Sequence, residues 1–342
     1  MGTRPGGPDA PHQGARPPVQ PRRAQIAVVG FGNAGRQHAA AIGVLVALRP
    51  AAVVETDPEA ARRAVEAGLT VRPLPEVLAD PAVAALAVCL PPGHRPPVLA
   101  AAIAAGKHLV VEKLPARSPA ELREILDAAA GAGLFSTVMF QHRFALPGQL
   151  RVKAPERFAD GIGHLLISRP RSDSHYREGW RAEPEAAVGG VSVHLGAHYI
   201  DLACQLLGEP VEVTALSRTE AVAGIDTELL GHVTFRSGAR LTVTVTCRAA
   251  ARFEQLTVLG RRDWVEVRAG ATVGELDGRP LASAARPAGE LRQDVYRELT
   301  EALRGGPAPD LSALARSTGV VAILDGLLGT PVGTTAPVAA PC

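Results

Sequence analysis

Ala24-Gln25-Ile26-Ala27-Val28-Val29-Gly30-Phe31-Gly32-Asn33-Ala34-Gly35 decides the fold class of this 342-residue chain. A β-branched apolar run leads straight into G-x-G-x-x-G and then into a segment of helical pattern, Arg36 to Leu48. Each glycine has a physical task. Gly30 permits the tight turn off the strand, Gly32 lets a pyrophosphate approach the backbone, and Gly35 lets the helix lie close on the strand. The first-turn N–H groups and the positive end of the helix dipole then face phosphate, so Gly30, Phe31, Gly32, Asn33, Ala34 and Gly35 are the expected cofactor loop. The next strand-like run, Ala51–Glu55, is followed by Asp57, 22 residues after Gly35. That matches the ~20-residue interval of the carboxylate that binds a ribose hydroxyl. A glycine-rich surface loop is the alternative, and the flanking strand and helix patterns argue against it.

Hydrophobic residues make up 46% and charged residues 20%, the balance of a globular enzyme with room for two cored domains. A net charge of +2, without a dense Lys/Arg patch interleaved with aromatics, gives no expectation of a nucleic-acid partner. No apolar run approaches the roughly 18 residues of a membrane span. Cys89, Cys204, Cys247 and Cys342 are scattered without a C-x-x-C pair, which reads as buried thiols in a reducing cytoplasm. Residues 1–23, rich in Pro, Gly and Arg, read as a disordered tail. Arg22-Arg23 before an apolar run imitates a twin-arginine export signal, but that run is also the first strand of the nucleotide fold. The expected location is therefore cytoplasmic.

From residue 24 to 145 short apolar runs alternate with helical stretches: Ile26–Val29, Ala52–Val54, Ala85–Leu90, Leu109–Val111 and Ser136–Phe140 are separated by segments such as Asp57–Ala67, Pro97–Ala105 and Ser118–Ala132. Ser118 is a candidate N-cap with Glu121 at N3. This alternation predicts a Rossmann-type, doubly wound parallel sheet. From 146 to 342 the pattern changes. A helical segment, Val191–Leu207, stops at Gly208, and period-2 runs follow at Val211–Leu216, Leu229–Phe235, Ala239–Thr246, Gln255–Leu259 and Trp264–Arg268. They predict an α/β domain with an open, mainly antiparallel sheet, a hairpin turning at Phe235–Ala239. Gly270–Gly289 reads as a polar surface excursion. Gln293–Arg304 and Asp310–Leu328 read as helices that return to the first domain or brace the second.

Ligands of doubly wound sheets bind at the carboxyl ends of the strands. The residues there are the glycine loop, Asp57, Leu90-Pro91-Pro92-Gly93-His94-Arg95, Glu112-Lys113 and Gln141-His142-Arg143. Leu90, Pro91, His94 and Glu112 are thereby added to the expected cofactor residues. Lys113 follows a buried-looking strand, so its ammonium emerges in the crevice where it can polarise a substrate hydroxyl or relay its proton. The alternative is a surface lysine paired with Glu112. On a helix, His194, Ala197, His198 and Asp201 share one face at i, i+3, i+4 and i+7. Two imidazoles and a carboxylate permit acid–base chemistry or a metal site. Zinc needs further ligands, and Leu195 stands where H-E-x-x-H has its glutamate, so no metal is expected. A purely structural role for the histidines is the remaining alternative.

These motifs resemble the glucose–fructose oxidoreductase / inositol dehydrogenase family, Gfo/Idh/MocA. The resemblance rests on G-F-G-N-A-G, Asp57-Pro58, Ala105-Gly106-Lys107-His108-Leu109-Val110-Val111-Glu112-Lys113, Gly189-Gly190 through Gly196, His198 and Asp201, and Leu207-Gly208. It implies a nicotinamide-dinucleotide domain, a sheet domain that forms the oligomer interface, and reversible oxidation of a secondary alcohol on a sugar or cyclitol ring. It also implies that Lys113 takes the E-K-P lysine position and His198 the catalytic histidine position. Three departures stand out. E-K-P reads Glu112-Lys113-Leu114-Pro115, the usual histidine after the fourth strand, counted back from Gly106, falls on Arg95 with His94 one place early, and the frequent D-x-x-x-H pair is His194-x-x-x-His198.

The resulting expectation is an NAD-dependent dehydrogenase or ketoreductase for a ring hydroxyl of a sugar, cyclitol or glycoside. His198 exchanges the hydroxyl proton, Lys113 polarises the oxygen and His194 positions or relays. Asp57 favours NAD over NADP because a carboxylate repels a 2′-phosphate, and Arg62 and Arg63 keep NADP as the alternative. Gln141, Arg143, His175, Tyr176, Trp180 and Arg181, with His194 and His198, are the expected sugar-pocket residues. The partner is a small sugar-like molecule, and the chain is expected to form a homo-oligomer, dimer or tetramer, through the C-terminal sheet. Its Ala/Arg/Gly/Pro-heavy composition suggests a GC-rich bacterial gene and a specialised-metabolite sugar such as an aminoglycoside precursor. The competing functions are redox-neutral, NAD-assisted glycoside cleavage and a non-catalytic NAD-binding sensor.

Overall fold

The computed structural model describes residues 23–151 and 154–338; the tail expected to be disordered lies outside the described residues up to position 22. The apolar runs of the first part become β1 (Ala24–Val29), β2 (Leu48–Val54), β3 (Val83–Val88), β4 (His108–Val111) and β5 (Ser136–Val138). They are connected through α1 (Asn33–Gly43), α2 (Pro58–Glu66), α3 (Leu74–Ala79), α4 (Pro96–Ala104) and α5 (Pro119–Gly131). The strands pair in parallel in the order β2-β1-β3-β4-β5. The order reverses between β1 and β3, which opens a ligand crevice at their carboxyl ends. Ser118 caps α5 as expected, its hydroxyl accepting the Glu121 N–H at 3.2 Å.

The second part contributes α6 (Ala154–Arg157), β6 (Ile162–Ser168), α7 (Pro184–Ala187) and α8 (Ala197–Leu207). Then follow β7 (Pro210–Val222), β8 (Ile225–Phe235), β9 (Arg240–Thr246), β10 (Phe253–Leu259), β11 (Trp264–Arg268), β12 (Ala271–Leu276) and β13 (Arg279–Ser283). α9 (Ala288–Leu303), α10 (Thr318–Gly329) and β14 (Thr335–Pro337) complete it. Nine strands form one sheet in the order β13-β12-β11-β10-β6-β9-β8-β7-β14. Only β6 and β9 run parallel; the other neighbours are antiparallel, and Gly238 at φ 81° turns β8 into β9. α8 and α10 cover one face with Leu202, Leu206, Val320, Ile323 and Leu324.

Three elements differ from the sequence reading. β6 escapes the period-2 test because one of its inward positions is Gly163, where a Cβ would lie 2.7 Å from Leu241 Cδ1. Gly270–Gly289 is no loose excursion: it holds β12 and β13, turned by Asp277-Gly278, both at positive φ (51° and 70°), as a two-residue hairpin requires. Asp310–Leu328 is helical only from Thr318, because Val138 N–H donates to the Ser312 carbonyl and Ala313 bridges Thr137.

The last two helices part company. α10 braces the sheet, whereas α9 returns to the first domain. There Leu291, Val295, Tyr296 and Leu299 share a core with Ile26, Val28, Phe31 and Ile42. Among the described residues no helix is long and apolar enough to cross a membrane.

Candidate active site

The β1–α1 turn has the geometry of an anion cradle. Gly30 sits at φ 87°, and a Cβ on Gly35 would lie 1.9 Å from the Gly30 carbonyl oxygen, so the helix packs at a distance only glycine allows. A Cβ on Gly32 would meet nothing within 4 Å; the turn is open on that side. α1 begins without a side-chain cap and without an acid in its first turn, leaving its first N–H groups free for phosphate. A dinucleotide therefore fits these residues.

The carboxylate facing this turn is Glu55, which the sequence reading passed over. Its Oε2 accepts the Phe31 N–H at 2.6 Å, and its Oε1 accepts the N–H groups of Thr56 and Asp57 at 2.7 and 2.9 Å. Asp57, the expected ribose ligand, is instead the N-cap of α2, its Oδ1 accepting the Ala60 N–H at 2.7 Å. Spacing alone could not separate two carboxylates two residues apart. Arg62 and Arg63 lie on the outer side of α2 beside Glu66 and Glu59, at 3.6 and 3.5 Å.

At the ends of β3 and β4 the backbone is held by one buried cation. Arg95 donates to the carbonyls of Leu90 (2.8 Å), Lys113 (3.2 Å), Glu112 and Leu114. Arg95 thus clamps the Glu112-Lys113-Leu114-Pro115 segment, in which the Lys113–Leu114 peptide is cis. Leu90 and Pro91 line the strand exit, while His94 is exposed on the short turn that follows. Glu112 departs from its expected contact with the cofactor: its carboxylate points inward, Oε1 pairing with His38 Nε2 at 3.0 Å. His38 Nδ1 lies 2.5 Å from the Tyr296 hydroxyl. Burial holds His38 below the usual histidine range, so the neutral ring donates from Nε2 and accepts from Tyr296. This chain links α1, β4 and α9 directly beneath Lys113, whose own N–H donates to Glu112 Oε2 at 3.1 Å.

Lys113 is no surface lysine. Its Nζ crosses to the second domain and donates to the carbonyls of His194 at 2.6 Å and Val193 at 3.4 Å. Burial lowers its pKa to about 8, with Arg95 and Arg169 adding to the effect and Glu112 opposing it. The carbonyls belong to a single π-helical turn, Ser192–Gly196, that precedes α8. Asp226 holds the start of this turn, accepting the N–H groups of Gly190 (2.6 Å) and Ser192 (2.9 Å). A Cβ on Gly190 would lie 1.8 Å from the Asp226 carbonyl oxygen, which explains the glycine pair.

Three imidazoles and three other aromatic rings cluster beside the lysine. His198 stacks on His142 with centroids 4.4 Å apart and meets the edge of Phe140 at 5.7 Å. His194 lies between Tyr176 (5.8 Å) and Trp180 (5.3 Å), and the Arg181 guanidinium covers Trp180 at 4.7 Å. Burial holds both histidines well below the usual range, helped by the Lys113 charge and, for His198, by His142. His142 is likewise pushed down by burial, to about 4. His198 Nδ1 and His194 Nε2 are buried without a hydrogen-bond partner among the described residues. The structure thus brings together Lys113, His194, His198, Tyr176, Trp180 and Arg181, and adds His142, whose position after β5 was the available signal.

Two expected residues belong elsewhere. Arg143 does not face a substrate. It is fully buried, with Nε and Nη2 on Asp201 at 2.8 and 2.6 Å and further bonds to the carbonyls of Leu311, Ala313 and Arg316. Asp201 is correspondingly occupied by Arg143 and does not reach the crevice, while the π-turn, which ends at Gly196, shifts His194 relative to the α-helical count that put it on one face with His198 and Asp201. Gln141 is 5% exposed, and its Oε1 has no partner among the described residues.

A parallel sheet with an open anion-binding turn, joined to an antiparallel-sheet domain whose π-turn and α8 bring histidines to a crevice lysine, defines a two-domain dinucleotide-binding architecture. Residues 24–140 match the oxidoreductase family with an NAD-binding Rossmann fold and residues 162–266 match the GFO/IDH/MocA C-terminal domain, so the chain belongs to the Gfo/Idh/MocA family. It is 30% identical over 195 residues to scyllo-inositol 2-dehydrogenase (NADP(+)) of Bacillus subtilis, covering 56% of this chain and 54% of that one. It is 31% identical over 183 residues to 1,5-anhydro-D-fructose reductase of Ensifer adhaerens, covering 50% and 53%. The matched regions thus span about half the length of these curated relatives. The WlbA dehydrogenase of Bordetella pertussis, solved with NADH and UDP-GlcNAcA, superposes with a TM-score of 0.77 at 24% identity over 94% of this chain and 100% of that one. At that identity the likeness shows the shared fold.

Proposed function

We propose that the protein is an NAD-dependent dehydrogenase or ketoreductase that interconverts a secondary ring hydroxyl and a ketone on a sugar, cyclitol or glycoside. The observation that carries this reading is the Lys113 ammonium, held at the crevice by the His194 carbonyl at 2.6 Å with a pKa near 8. The curated relatives act, by name, on inositol and anhydrofructose. Glu55, together with the open turn at Gly32, would hold the adenosine ribose and pyrophosphate. Bound NAD supplies the hydride acceptor.

The two backbone contacts of Lys113 support giving it a larger share of the proton chemistry than its expected polarising role. Two backbone carbonyls engage two of its N–H groups in either protonation state. The third position alternates between an N–H and a lone pair, so it can give or take the hydroxyl proton. Near neutral pH His198 is uncharged and hydrogen-bonds the same oxygen, while His194, lacking a carboxylate's charge, orients the ring between Tyr176 and Trp180.

Two further proposals accompany this one. Exposed Ile162, Leu216, Phe253, Leu259, Trp264 and Val273 on strands of the large sheet support a homo-oligomer formed through it. The free thiols Cys89, Cys204 and Cys247 support a reducing, cytoplasmic setting.

The test is to follow reduced-cofactor absorbance with NAD or NADP against a panel of inositols, aldoses, glycosides and aminoglycoside-type sugars, then keto-sugars with NADH. Turnover of one sugar with net change in NADH is the expected result. Sugar cleavage with no net NADH would identify the redox-neutral chemistry, and tight cofactor binding without any turnover would identify a sensor.

A further inference from the structure

A second cavity adjoins the histidine cluster and takes no part in the proton chemistry. It lies between the segment after β6, the paired ends of β7 and β8, and the segment after β9, has a volume of about 540 Å³, and so falls within the roughly 300–1,000 Å³ of small-molecule sites. Arg171, Arg177 and Arg248 line it. Among the described residues none of these three guanidinium groups forms a salt bridge, whereas nearby Arg169 and Arg252 are both paired with Glu254. Arg171 donates only to the neighbouring Pro170 carbonyl, at 3.1 Å. The carboxylate among the described lining residues, Glu220, is already engaged by Arg218 at 2.9 Å and by the Gly224 N–H at 3.2 Å.

Tyr176 forms the wall between this cavity and the site. Its ring stacks on His194 at 5.8 Å, and it also lines the cavity. It is 1% exposed, and its hydroxyl has no hydrogen-bond partner among the described residues. A buried, unpaired donor beside three unpaired guanidinium groups calls for an oxygen-rich anion. A neutral ligand would leave the charges unanswered, and a concave wall of one sign concentrates ligands of the other.

We infer that this cavity is a subsite for an anionic group, carboxylate or phosphate, carried by the sugar, so that the substrates are acidic rather than neutral glycosides. The inference rests on the sugar-oxidoreductase reading for the identity of the ligand. Arg171, Arg177 and Arg248 pair with the anion, the Tyr176 hydroxyl donates to it, and the sugar ring reaches past Tyr176 toward His194 and Lys113.

The test is calorimetric titration of the intact protein with methyl β-D-glucuronide, glucose 6-phosphate and methyl β-D-glucoside. At least one acidic probe is expected to bind tenfold or more tightly than the glucoside, and which one does so separates carboxylate from phosphate. That advantage should vanish in the Arg171→Ala/Arg177→Ala/Arg248→Ala variant. Because Arg177 and Arg248 are exposed, the single variants Arg177→Ala and Arg248→Glu give a second reading in which each weakens the acidic probe alone. Equal binding of acidic and neutral probes, no binding of either acid, or an advantage that survives these substitutions would overturn the inference. Binding is read without turnover, so failure to reduce NAD with any sugar would strike the enzymatic reading and leave the anion result intact.

Discussion

Arg143 and Asp201 face each other in a two-pronged ion pair, 2.6 and 2.8 Å long, with both side chains at 0% exposure. Arg143 extends from the helical turn Gln141–Ala145 after β5, Asp201 from α8, and the remaining guanidinium donors hold the carbonyls ahead of α10. Breaking such a pair leaves an uncompensated buried charge. Asp201→Asn should therefore cost about 3–5 kcal/mol, read as a lower urea midpoint with an unchanged slope. The double variant Arg143→Met/Asp201→Leu should recover much of that loss. Substrate KM should stay near the parent value in whatever folds, since neither group lines the pocket.

Lys113→Ala is expected to lower kcat by roughly 10²–10⁴-fold while NAD binding, measured by fluorescence titration, changes little. Lys113→Arg should not rescue it, because a guanidinium keeps its proton through the working pH range. Near-normal turnover of Lys113→Ala would remove the lysine from the chemistry.

The pH dependence follows from the same group. Oxidation needs Lys113 neutral, so its rate should rise as pH passes through about 8; ketone reduction needs the ammonium and should fall over the same interval. The Arg169 charge helps to lower this value. Arg169→Gln should consequently move both limbs to higher pH, which a pH–rate profile in each direction would show.

Cofactor choice separates the two carboxylates after β2. Glu55→Ser should raise activity with NADP relative to NAD, since it removes the charge beside the glycine turn. Asp57→Ala should leave that ratio alone and cost about 1 kcal/mol of stability, the usual loss of an N-cap. Kinetics with both cofactors, together with a thermal melt, distinguish the two outcomes.

The parts legible in the sequence were those whose chemistry is local. Gly30 and Gly35 are required by one turn and one helix contact, Ser118 by one cap, and Lys113 by a strand ending at its neighbour. The parts that escaped depend on partners far along the chain. Asp201 counts onto the histidine face, but it is claimed by Arg143, 58 residues away, and the π-turn at Ser192–Gly196 shifts His194 out of the α-helical count. Glu55 looked like the tail of a strand because its role depends on the Phe31 amide, 24 residues earlier. β6 hid behind Gly163, an inward position filled by Leu241 from the adjacent strand. The Asp277-Gly278 hairpin, by contrast, carried a local signal that its polar surroundings obscured.

The return of α9 has a consequence for how this protein is made. Phe31 and Ile42 in the cofactor domain are covered by Val295, Tyr296 and Leu299, residues the ribosome adds long after β5 has emerged. The cofactor domain is therefore closed by a segment made well after it, and the nascent chain must carry an open apolar seam while β6 to β13 are synthesised. A fragment ending after β5 would keep that seam permanently, and the two halves of the enzyme should melt as a single cooperative unit.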